Sequence, residues 1–294
     1  MVLNSEKKII NNTQKEQWYF ENQLQGFGLS MKIKSRLHKS KSPFQEIEVF
    51  DTYDYGILLT LDGLVMLTQR DEFYYHEILA HPALYAHPAP KDVLIIGGGD
   101  CGTLREVLKH SSVENAHLCE IDKQVVDISK KYFDFTNDAL NNEKSKLFIE
   151  DGFNFLKKNI SKYDVILVDS TDPIGEAAKL FGQEFFSLCY NALKPDGIIA
   201  GQCGCFMYDT KEPKSVYNSL KLLFNNVSIY TGITPTYPTG TWSFYYASKK
   251  YDLINNFNEK RYNTENIELK YYNKNIHKSL SAIPEFLKKD IYGE

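Results

Sequence analysis

The sequence has no excess of positive charge and no long apolar run. Its 294 residues carry 34 lysines and arginines against 38 aspartates and glutamates, a formal net charge of −4. A chain without an excess of positive charge has no electrostatic basis for binding nucleic acid. No apolar run approaches the roughly 20 residues of a membrane-spanning helix, and Met1–Gln17 is polar, without the apolar core of a signal peptide. We therefore expect a cytoplasmic protein that binds neither nucleic acid nor membrane.

Cysteine is also scarce, and its spacing excludes two further classes of protein. The five cysteines show no disulfide framework, which is typical of a reducing compartment. Cys203 and Cys205 form a C-x-C pair, but a second pair at zinc spacing is missing. We therefore expect buried thiols and no metal site.

The first part of the chain alternates like an antiparallel sheet. Met31–Leu37 places apolar and charged residues in turn, the period-two pattern of a half-buried strand. Asp62-Gly63 lies between two apolar runs and is a strong hairpin signal, because glycine accepts a positive φ. Asp71–Leu79 follows as a predicted helix, which His81-Pro82 should end. We assign residues 1–70 to a small β-strand domain.

From Val93 onward, short apolar runs alternate with helical patterns, which predicts a parallel, doubly wound sheet over residues 71–294. The predicted strands are Val93–Ile96, His117–Cys119, Leu147–Ile149, Val165–Val168 and Ile198–Gly201. Two aromatic-rich runs, Val227–Tyr230 and Trp242–Ala247, are expected to add an antiparallel edge. No internal repeat or low-complexity segment is present.

A glycine turn after the first of these strands is the most informative motif. Gly97-Gly98-Gly99-Asp100-Cys101-Gly102 links the strand Val93–Ile96 to the helical pattern Thr103–His110, as in nucleotide-binding βα units. Glu120 ends the next strand, at the offset of a carboxylate that holds ribose hydroxyls. This pairing alone does not separate a dinucleotide from S-adenosylmethionine or its relatives. Asp100 favours a nucleoside with a cation beside it, since a carboxylate in the turn repels phosphate and carboxylate groups.

Acidic side chains follow four successive predicted strands. They are Asp100, Glu120, Asp151 and the pair Asp169 and Asp172. In doubly wound sheets the ligand lies at this edge, beyond the carboxyl ends of the strands. Each acid alone could be a capping or turn residue, but clustered like charges require a compensating cation. A polycationic ligand is the favoured interpretation; a Mg²⁺ or Ca²⁺ cage is the weaker alternative, because no EF-hand loop occurs.

The chain as a whole resembles the polyamine aminopropyltransferases, the family typified by spermidine synthase. The resemblance runs in family order from the β-strand domain to the C-terminal tail, and the combination of GGGD with DSTDP is its most specific part. The matching segments are Leu61–Gly63, Arg70–Glu77, Val93–Val107, Glu120–Asp122, Asp151-Gly152, Asp169–Gly175, Pro235–Gly240 and Lys270–Lys278. The resemblance implies a Rossmann-like sheet of the methyltransferase type behind the β domain.

The resemblance also implies roles for particular residues. Residues that would contact the nucleoside of decarboxylated S-adenosylmethionine are Gln45, His76, Gly97, Gly99, Asp100, Glu120, Asp151 and Gly152. Of these, Glu120 would hold the ribose hydroxyls, Asp151 the adenine amino group and Asp100 the ammonium of the aminopropyl arm. Asp169 would be the general base, with Tyr75 bonding the attacking nitrogen. The diamine would be held by Tyr75, Asp169, Asp172, Gln202 and Tyr237.

The activity implied is transfer of the aminopropyl group to putrescine, giving spermidine and methylthioadenosine, without a cofactor or metal. A homodimer or homotetramer formed through the N-terminal sheet is expected. Cadaverine, agmatine or spermidine is an alternative acceptor. A methyltransferase using S-adenosylmethionine itself and a non-catalytic polyamine-binding protein are the competing functions. Asp100 argues against the methyltransferase and Asp169 against the binding protein, which needs no acid at a reacting nitrogen.

Three positions depart from the family pattern. Cys101 stands where glycine is usual, so its side chain is expected to crowd the turn or to make it oxidisable. Met66 stands where some members have glutamine in the diamine pocket. Cys203-Gly204-Cys205 lacks an acidic residue that some members place there. The last two departures leave the choice of acceptor open.

Overall fold

The computed structural model describes residues 16–173 and 175–293, in two compact units. The first contains residues 16–72 and 234–241, and the second contains the remaining described residues. The predicted first domain begins at residue 1, so its first 15 residues lie outside the described part of the chain. Each unit is built around a sheet of its own.

The first unit is a five-stranded sheet with the order β1-β2-β3-β4-β5, in which neighbouring strands are antiparallel. Its strands are β1 (Gln17–Leu24), β2 (Phe27–Lys41), β3 (Glu46–Thr52), β4 (Ile57–Leu61) and β5 (Leu64–Thr68). The hairpin between β4 and β5 turns at Asp62 and Gly63, both with positive φ. Strand β1 has no clear alternation in the sequence, and its pairing with β2 defines it.

The segment 234–241 belongs to the first unit, whereas the sequence placed Pro235–Gly240 in the second domain. The Thr236 amide donates to the Asp71 carboxylate (3.0 Å), and the Tyr237 hydroxyl donates to the Met66 carbonyl (2.8 Å). The Tyr237 ring also packs against the core of the β unit. These contacts join residues about 165 positions apart in the chain, and local sequence patterns carry no signal for them.

The second unit is a mixed seven-stranded sheet with the order β11-β12-β10-β9-β6-β7-β8. Its strands are β6 (Asp92–Gly97), β7 (Asn115–Glu120), β8 (Ser145–Ile149), β9 (Tyr163–Asp169), β10 (Leu193–Gln202), β11 (Asn226–Ile233) and β12 (Thr241–Ser248). Strands β6 to β10 are parallel, and β12 pairs antiparallel with β10. The predicted fold class is confirmed: a small antiparallel sheet precedes an α/β core.

Helices connect the strands and form the C-terminal tail. They are α1 (Glu72–Ala86), α2 (Gly102–Leu108), α3 (Lys123–Tyr132), α4 (Asp134–Leu140), α5 (Gly152–Lys157), α6 (Gln183–Ala192), α7 (Lys211–Lys221), α8 (Glu259–Glu265), α9 (Lys274–Ser279) and α10 (Glu285–Tyr292). Two short 3-10 helices cover Gly175–Phe181 and Pro238–Gly240. Among the described helices, none is both long and apolar enough to cross a membrane.

Helix α1 continues through Pro82 to Ala86, so the prediction that His81-Pro82 ends it was wrong. A proline inside a helix lacks the N–H that would bond the carbonyl four residues earlier. That carbonyl belongs to Ile78, and it accepts from the buried hydroxyl of Tyr230 instead (3.1 Å). A hydroxyl from β11 therefore replaces the missing hydrogen bond and lets the helix run on.

Helix α1 is fastened to the C-terminal tail by one buried carboxylate. The Glu77 side chain, 1% exposed, accepts hydrogen bonds from the backbone amides of Lys270, Tyr271 and Tyr272 at 2.8–2.9 Å. These three hydrogen bonds satisfy the backbone amides of a tail segment that is neither helix nor strand. Hydrogen bonds to charged groups are stronger than neutral ones.

We expect Glu77→Ala to lower the free energy of unfolding by about 2–4 kcal/mol, because it leaves three tail amides without their acceptor. The measurement is chemical denaturation followed by circular dichroism. Glu114→Ala is the matched control, since the Glu114–Lys91 pair is more than half exposed and such pairs contribute little. Equal stability of the two variants would show that Glu77 does not anchor the tail.

Candidate active site

The glycine turn between β6 and α2 packs directly onto the end of β9. Gly97 and Gly98 both have positive φ (78° and 69°). A Cβ on Gly97 would collide with the Asp169 carbonyl, and one on Gly98 would lie 2.8 Å from the Asp169 carboxylate. The first turn of α2 is equally crowded, because a Cβ on Gly102 would overlap the His76 ring of α1. Because these glycines have no side chains, the glycine turn, the end of β9 and helix α1 can meet at one point.

Asp100 lies in this turn with its carboxylate held on two sides. The Gly102 amide donates to Asp100 Oδ1 (2.6 Å), and His76 Nε2 lies 3.2 Å from the same oxygen. Burial alone would raise the pKa of Asp100, but the charge and hydrogen bond of His76 outweigh it and lower the pKa. The environment of Asp100 thus favours the ionised carboxylate inside the turn.

Asp169, at the end of β9, is positioned by two hydroxyl groups. Thr103 donates to Asp169 Oδ2 (2.7 Å), and the Tyr75 hydroxyl is hydrogen-bonded to the same side chain. Burial raises the pKa of Asp169 to about 6, and the negative charge of Asp100 adds to the rise. A carboxylate with a pKa near neutrality is suited to accepting a proton.

Glu120 and Asp151 follow the next two strands. Glu120 Oε1 accepts from the Asp122 amide (2.7 Å), and a Cβ on Gly99 would approach its other oxygen to 3.1 Å. Burial raises the pKa of Glu120 to about 7. Asp151 caps α5 by accepting from the Asn154 amide (3.0 Å). The capping role that the sequence left open for Asp151 is therefore real.

Asp172 is a partly buried acid, whereas the side-chain amide of Gln202 is already hydrogen-bonded within the protein. Burial raises the pKa of Asp172 to about 6, and the carboxylate of Glu212 adds to the rise. Gln202 donates to the carbonyls of Ser170 and Thr171 (both 3.1 Å), and its Oε1 accepts from two further donors. All of these hydrogen bonds are to protein groups, and the contact of Gln202 with a diamine stays a prediction.

Two of these acids, Asp100 and Asp169, form a cluster with His76 that suits a cation. His76, Asp100 and Asp169 each present a ligand atom, and these atoms lie within 4.8 Å of one another. Such a group could hold a metal ion or an ammonium group. A second cluster, His87, Asp164 and Asp196, meets the same criterion, but Lys194 already lies 2.9 Å from Asp164.

Most of the predicted site residues belong to the second unit. These are Tyr75, His76, Gly97, Gly99, Asp100, Glu120, Asp151, Gly152, Asp169, Asp172 and Gln202. Gln45 and Tyr237 belong to the first unit. There, Gln45 ends a turn, and its backbone amide donates to Ser42 Oγ (3.1 Å). The functions assigned to the individual residues stay predictions.

Sequence reasoning missed the residues that position the acids. Thr103 bonds Asp169, and the Thr136 hydroxyl donates to the Asp100 carbonyl (2.6 Å). A threonine just inside a helix that follows a glycine turn is a detectable signal for the first. The contact of Thr136 gives no local signal, because this residue of α4 lies 36 positions from Asp100 in the chain.

Cys101 adopts the left-handed conformation (φ 70°) in which glycine is favoured. Its side chain is completely buried, with the thiol 3.8 Å from the Gly99 carbonyl. Burial raises the pKa of this thiol, and the carboxylates of Asp100, Glu120 and Asp169 raise it further. Burial and the raised pKa argue against an oxidisable thiol, because the thiolate is the reactive form.

Two family models match the chain. Residues 72–261 match the spermine/spermidine synthase domain, and residues 17–69 match the spermidine synthase tetramerisation domain. Among curated proteins, the chain is 43% identical to a polyamine aminopropyltransferase of Thermotoga petrophila over 93% of each chain. It is 42% identical to one of Caldicellulosiruptor saccharolyticus, over 94% of this chain and 98% of the relative.

Solved structures agree with these relatives. A spermidine synthase in complex with the transition-state analogue AdoDATO superposes with a TM-score of 0.92 at 40% identity, covering 99% of both chains. The spermidine synthase of Thermotoga maritima superposes with a TM-score of 0.89 at 39% identity, covering 98% of both chains.

The different burial of the cysteines predicts a definite order of chemical labelling. With iodoacetamide under native conditions, we expect Cys205 to react first, because it is the one cysteine that is not fully buried. Cys101 and Cys203 should react only after denaturation, since burial raises both thiol pKa values. Peptide mass spectrometry over a time course measures the order. Labelling of Cys101 in the folded protein as fast as Cys205 would contradict the buried, protonated thiol.

Proposed function

The chain belongs to the spermine/spermidine synthase family and is a polyamine aminopropyltransferase, and we propose that it transfers the aminopropyl group of decarboxylated S-adenosylmethionine to putrescine. The products would be spermidine and methylthioadenosine. The observation that carries the choice of donor is the position of Asp100 inside the glycine turn, next to Asp169.

Asp100 supports the decarboxylated nucleoside over S-adenosylmethionine itself. Its carboxylate stays ionised because His76 lowers its pKa. An ammonium group at the end of the aminopropyl arm would pair with this charge, whereas the carboxylate of S-adenosylmethionine would be repelled. Glu120 is proposed to accept from the ribose hydroxyls and Asp151 from the adenine amino group.

Asp169 supports catalysis rather than simple binding. An alkyl ammonium has a pKa near about 10.4, so almost none of the acceptor is neutral at pH 7. The attacking nitrogen must lose a proton before its lone pair can displace methylthioadenosine from the sulfonium carbon. Asp169, with its pKa raised to about 6, accepts that proton, and Tyr75 orients the nitrogen. The sulfonium is its own activating group, so the step needs positioning and a base, without a cofactor or metal.

Putrescine is the proposed acceptor because two acids lie three positions apart beyond β9. Asp169 would face the reacting nitrogen, and Asp172 would face the distal ammonium, with Tyr237 proposed as a further contact. An extra methylene would move the distal charge off its partner. The binding free energy lost by a poorly paired ammonium exceeds the ~0.8 kcal/mol gained by burying one methylene. Met66 leaves a longer acceptor as the alternative.

We also propose a homodimer or homotetramer, supported by the match of residues 17–69 to a tetramerisation domain. A reducing compartment such as the cytoplasm fits the free cysteines, of which four are fully buried.

The function is tested by supplying decarboxylated or ordinary S-adenosylmethionine with putrescine, cadaverine, agmatine or spermidine. We expect methylthioadenosine from the decarboxylated donor, unaffected by EDTA, with the highest kcat/KM for putrescine. S-adenosylhomocysteine as product would indicate a methyltransferase. A tenfold preference for a different amine would keep aminopropyl transfer and reject putrescine. Loss of activity with EDTA would favour a metal at the His76–Asp100–Asp169 cluster.

The role of Asp169 is tested by a pair of variants. Asp169→Asn should lower kcat by about 10²–10⁴-fold, the usual contribution of a general base, with donor affinity changed only several-fold. Thr103→Val should retain most activity but move the acid limb of kcat/KM to higher pH. The reason is that the Thr103 hydrogen bond lowers the pKa of Asp169, so its removal raises that pKa, and the base must be deprotonated to act. An Asp169→Asn variant with a third of wild-type kcat would exclude Asp169 as the base.

A further inference from the structure

Glu212, in the first turn of α7, lies on the face of that helix that packs against the sheet. Val216 and Leu220, one and two turns further on, are completely buried in the core of the second unit, and residues at this spacing share one face of a helix. Glu212 itself is half-buried. Since the chain leaves β10 at its carboxyl end, α7 begins at the edge of the sheet where the ligand of such folds lies. The Glu212 carboxylate is therefore placed at the edge that carries the acids of the site.

The segment 203–210, which links β10 to α7, is held at both ends. Just before it, the Gln202 side chain donates to the backbone carbonyl of Thr171, the residue that precedes Asp172 (3.1 Å). At its end, the Thr210 hydroxyl donates to a carboxylate of α10 (2.8 Å). The backbone next to Asp172 is thus tied to the end of β10, a short loop away from the first turn of α7.

The carboxylates of Asp172 and Glu212 repel each other. Burial raises the pKa of Asp172 to about 6, and the charge of Glu212 adds to the rise. Burial also raises the pKa of Glu212. Among the residues that the structure describes, neither carboxylate is hydrogen-bonded or paired with a cation. Two like charges in a partly buried setting are stabilised by a cation between them, and here the ligand would have to supply it.

We propose that Glu212 is a specificity-determining residue for the acceptor: together with Asp172 it binds the distal ammonium of the diamine, and it supplies from α7 the acid that residues 203–205 lack. This role rests on the proposed aminopropyl transfer. Two carboxylates around one position favour an acceptor whose far end is charged, because hydrogen bonds between charged groups are strong. An acceptor that ends in a methyl group leaves both carboxylates without a partner and is bound less tightly.

Glu212 also has a structural role, which the test has to separate from acceptor binding. An acidic residue in the first turn of a helix stabilises the helix through its dipole. Glu184 is the matched control, because it is the second residue of α6 as Glu212 is of α7. Its side chain is exposed, and its charge has no part in the raised pKa of Asp172. Glu184→Gln therefore removes the same helix interaction without removing a charge beside Asp172.

The test compares the binding of putrescine with that of butylamine, which has the same carbon chain but a single nitrogen. Isothermal titration calorimetry on the complex of the enzyme with methylthioadenosine measures both affinities. Glu212→Gln should weaken putrescine binding about tenfold, the effect of losing one hydrogen bond between charged groups. Butylamine binding should change by less than about twofold, because this amine has no distal ammonium. Glu184→Gln should leave both affinities within about twofold of wild type.

Steady-state kinetics and thermal unfolding complete the comparison. Glu212→Gln should raise KM for putrescine with kcat nearly unchanged, since the reacting nitrogen and its base are not touched. Both variants should unfold at the same temperature, because each loses one first-turn glutamate. Unchanged putrescine affinity in Glu212→Gln, equal weakening of both amines, or an equal loss in Glu184→Gln would overturn the role of Glu212.

Failure of this inference is distinguishable from failure of the proposed function. A wild-type protein that forms no methylthioadenosine from the decarboxylated donor and any of the amines would reject the proposed function, and the role of Glu212 with it. A wild-type protein that transfers the aminopropyl group, beside a Glu212→Gln variant with the same preference for putrescine over butylamine, would reject the role of Glu212 alone.

Discussion

The site depends on the absence of side chains at three points of the glycine turn. Gly97 and Gly98 leave room for the backbone and carboxylate of Asp169, and Gly102 leaves room for the His76 ring. A methyl group at any of these positions would push apart two of the three segments that meet there. Burial at this meeting point raises the pKa of Asp169 and of Glu120, and the neighbouring carboxylates add to the rise.

Much of this arrangement could be predicted from the sequence. The strand, glycine turn and helix from Val93 to His110 have signals that are local and strong, since glycine, apolar runs and helical periodicity all agree. The acids after β7, β8 and β9 were predicted to share one edge, because the carboxyl ends of parallel strands meet there. Distances within that edge could not be predicted, since they depend on sheet order and on helix packing.

The features that the sequence did not reveal are contacts over long separations. The Tyr230 hydroxyl reaches the Ile78 carbonyl across 152 positions, and this bond satisfies the carbonyl that Pro82 leaves without its usual donor. The engaged amide of Gln202 likewise depends on the Trp242 indole, 40 positions away. Periodicity and spacing describe neighbours in the chain, and they carry no information about such pairs.

The carboxylate of Glu77 has a consequence for the order in which the chain can fold during synthesis. Its three partners are the amides of residues 270–272. A nascent chain that ends before these residues leaves the Glu77 carboxylate without its donors. The second unit therefore cannot close around α1 until residues 270–272 have left the ribosome. Ribosome-bound chains that end before them present an incomplete second unit to chaperones.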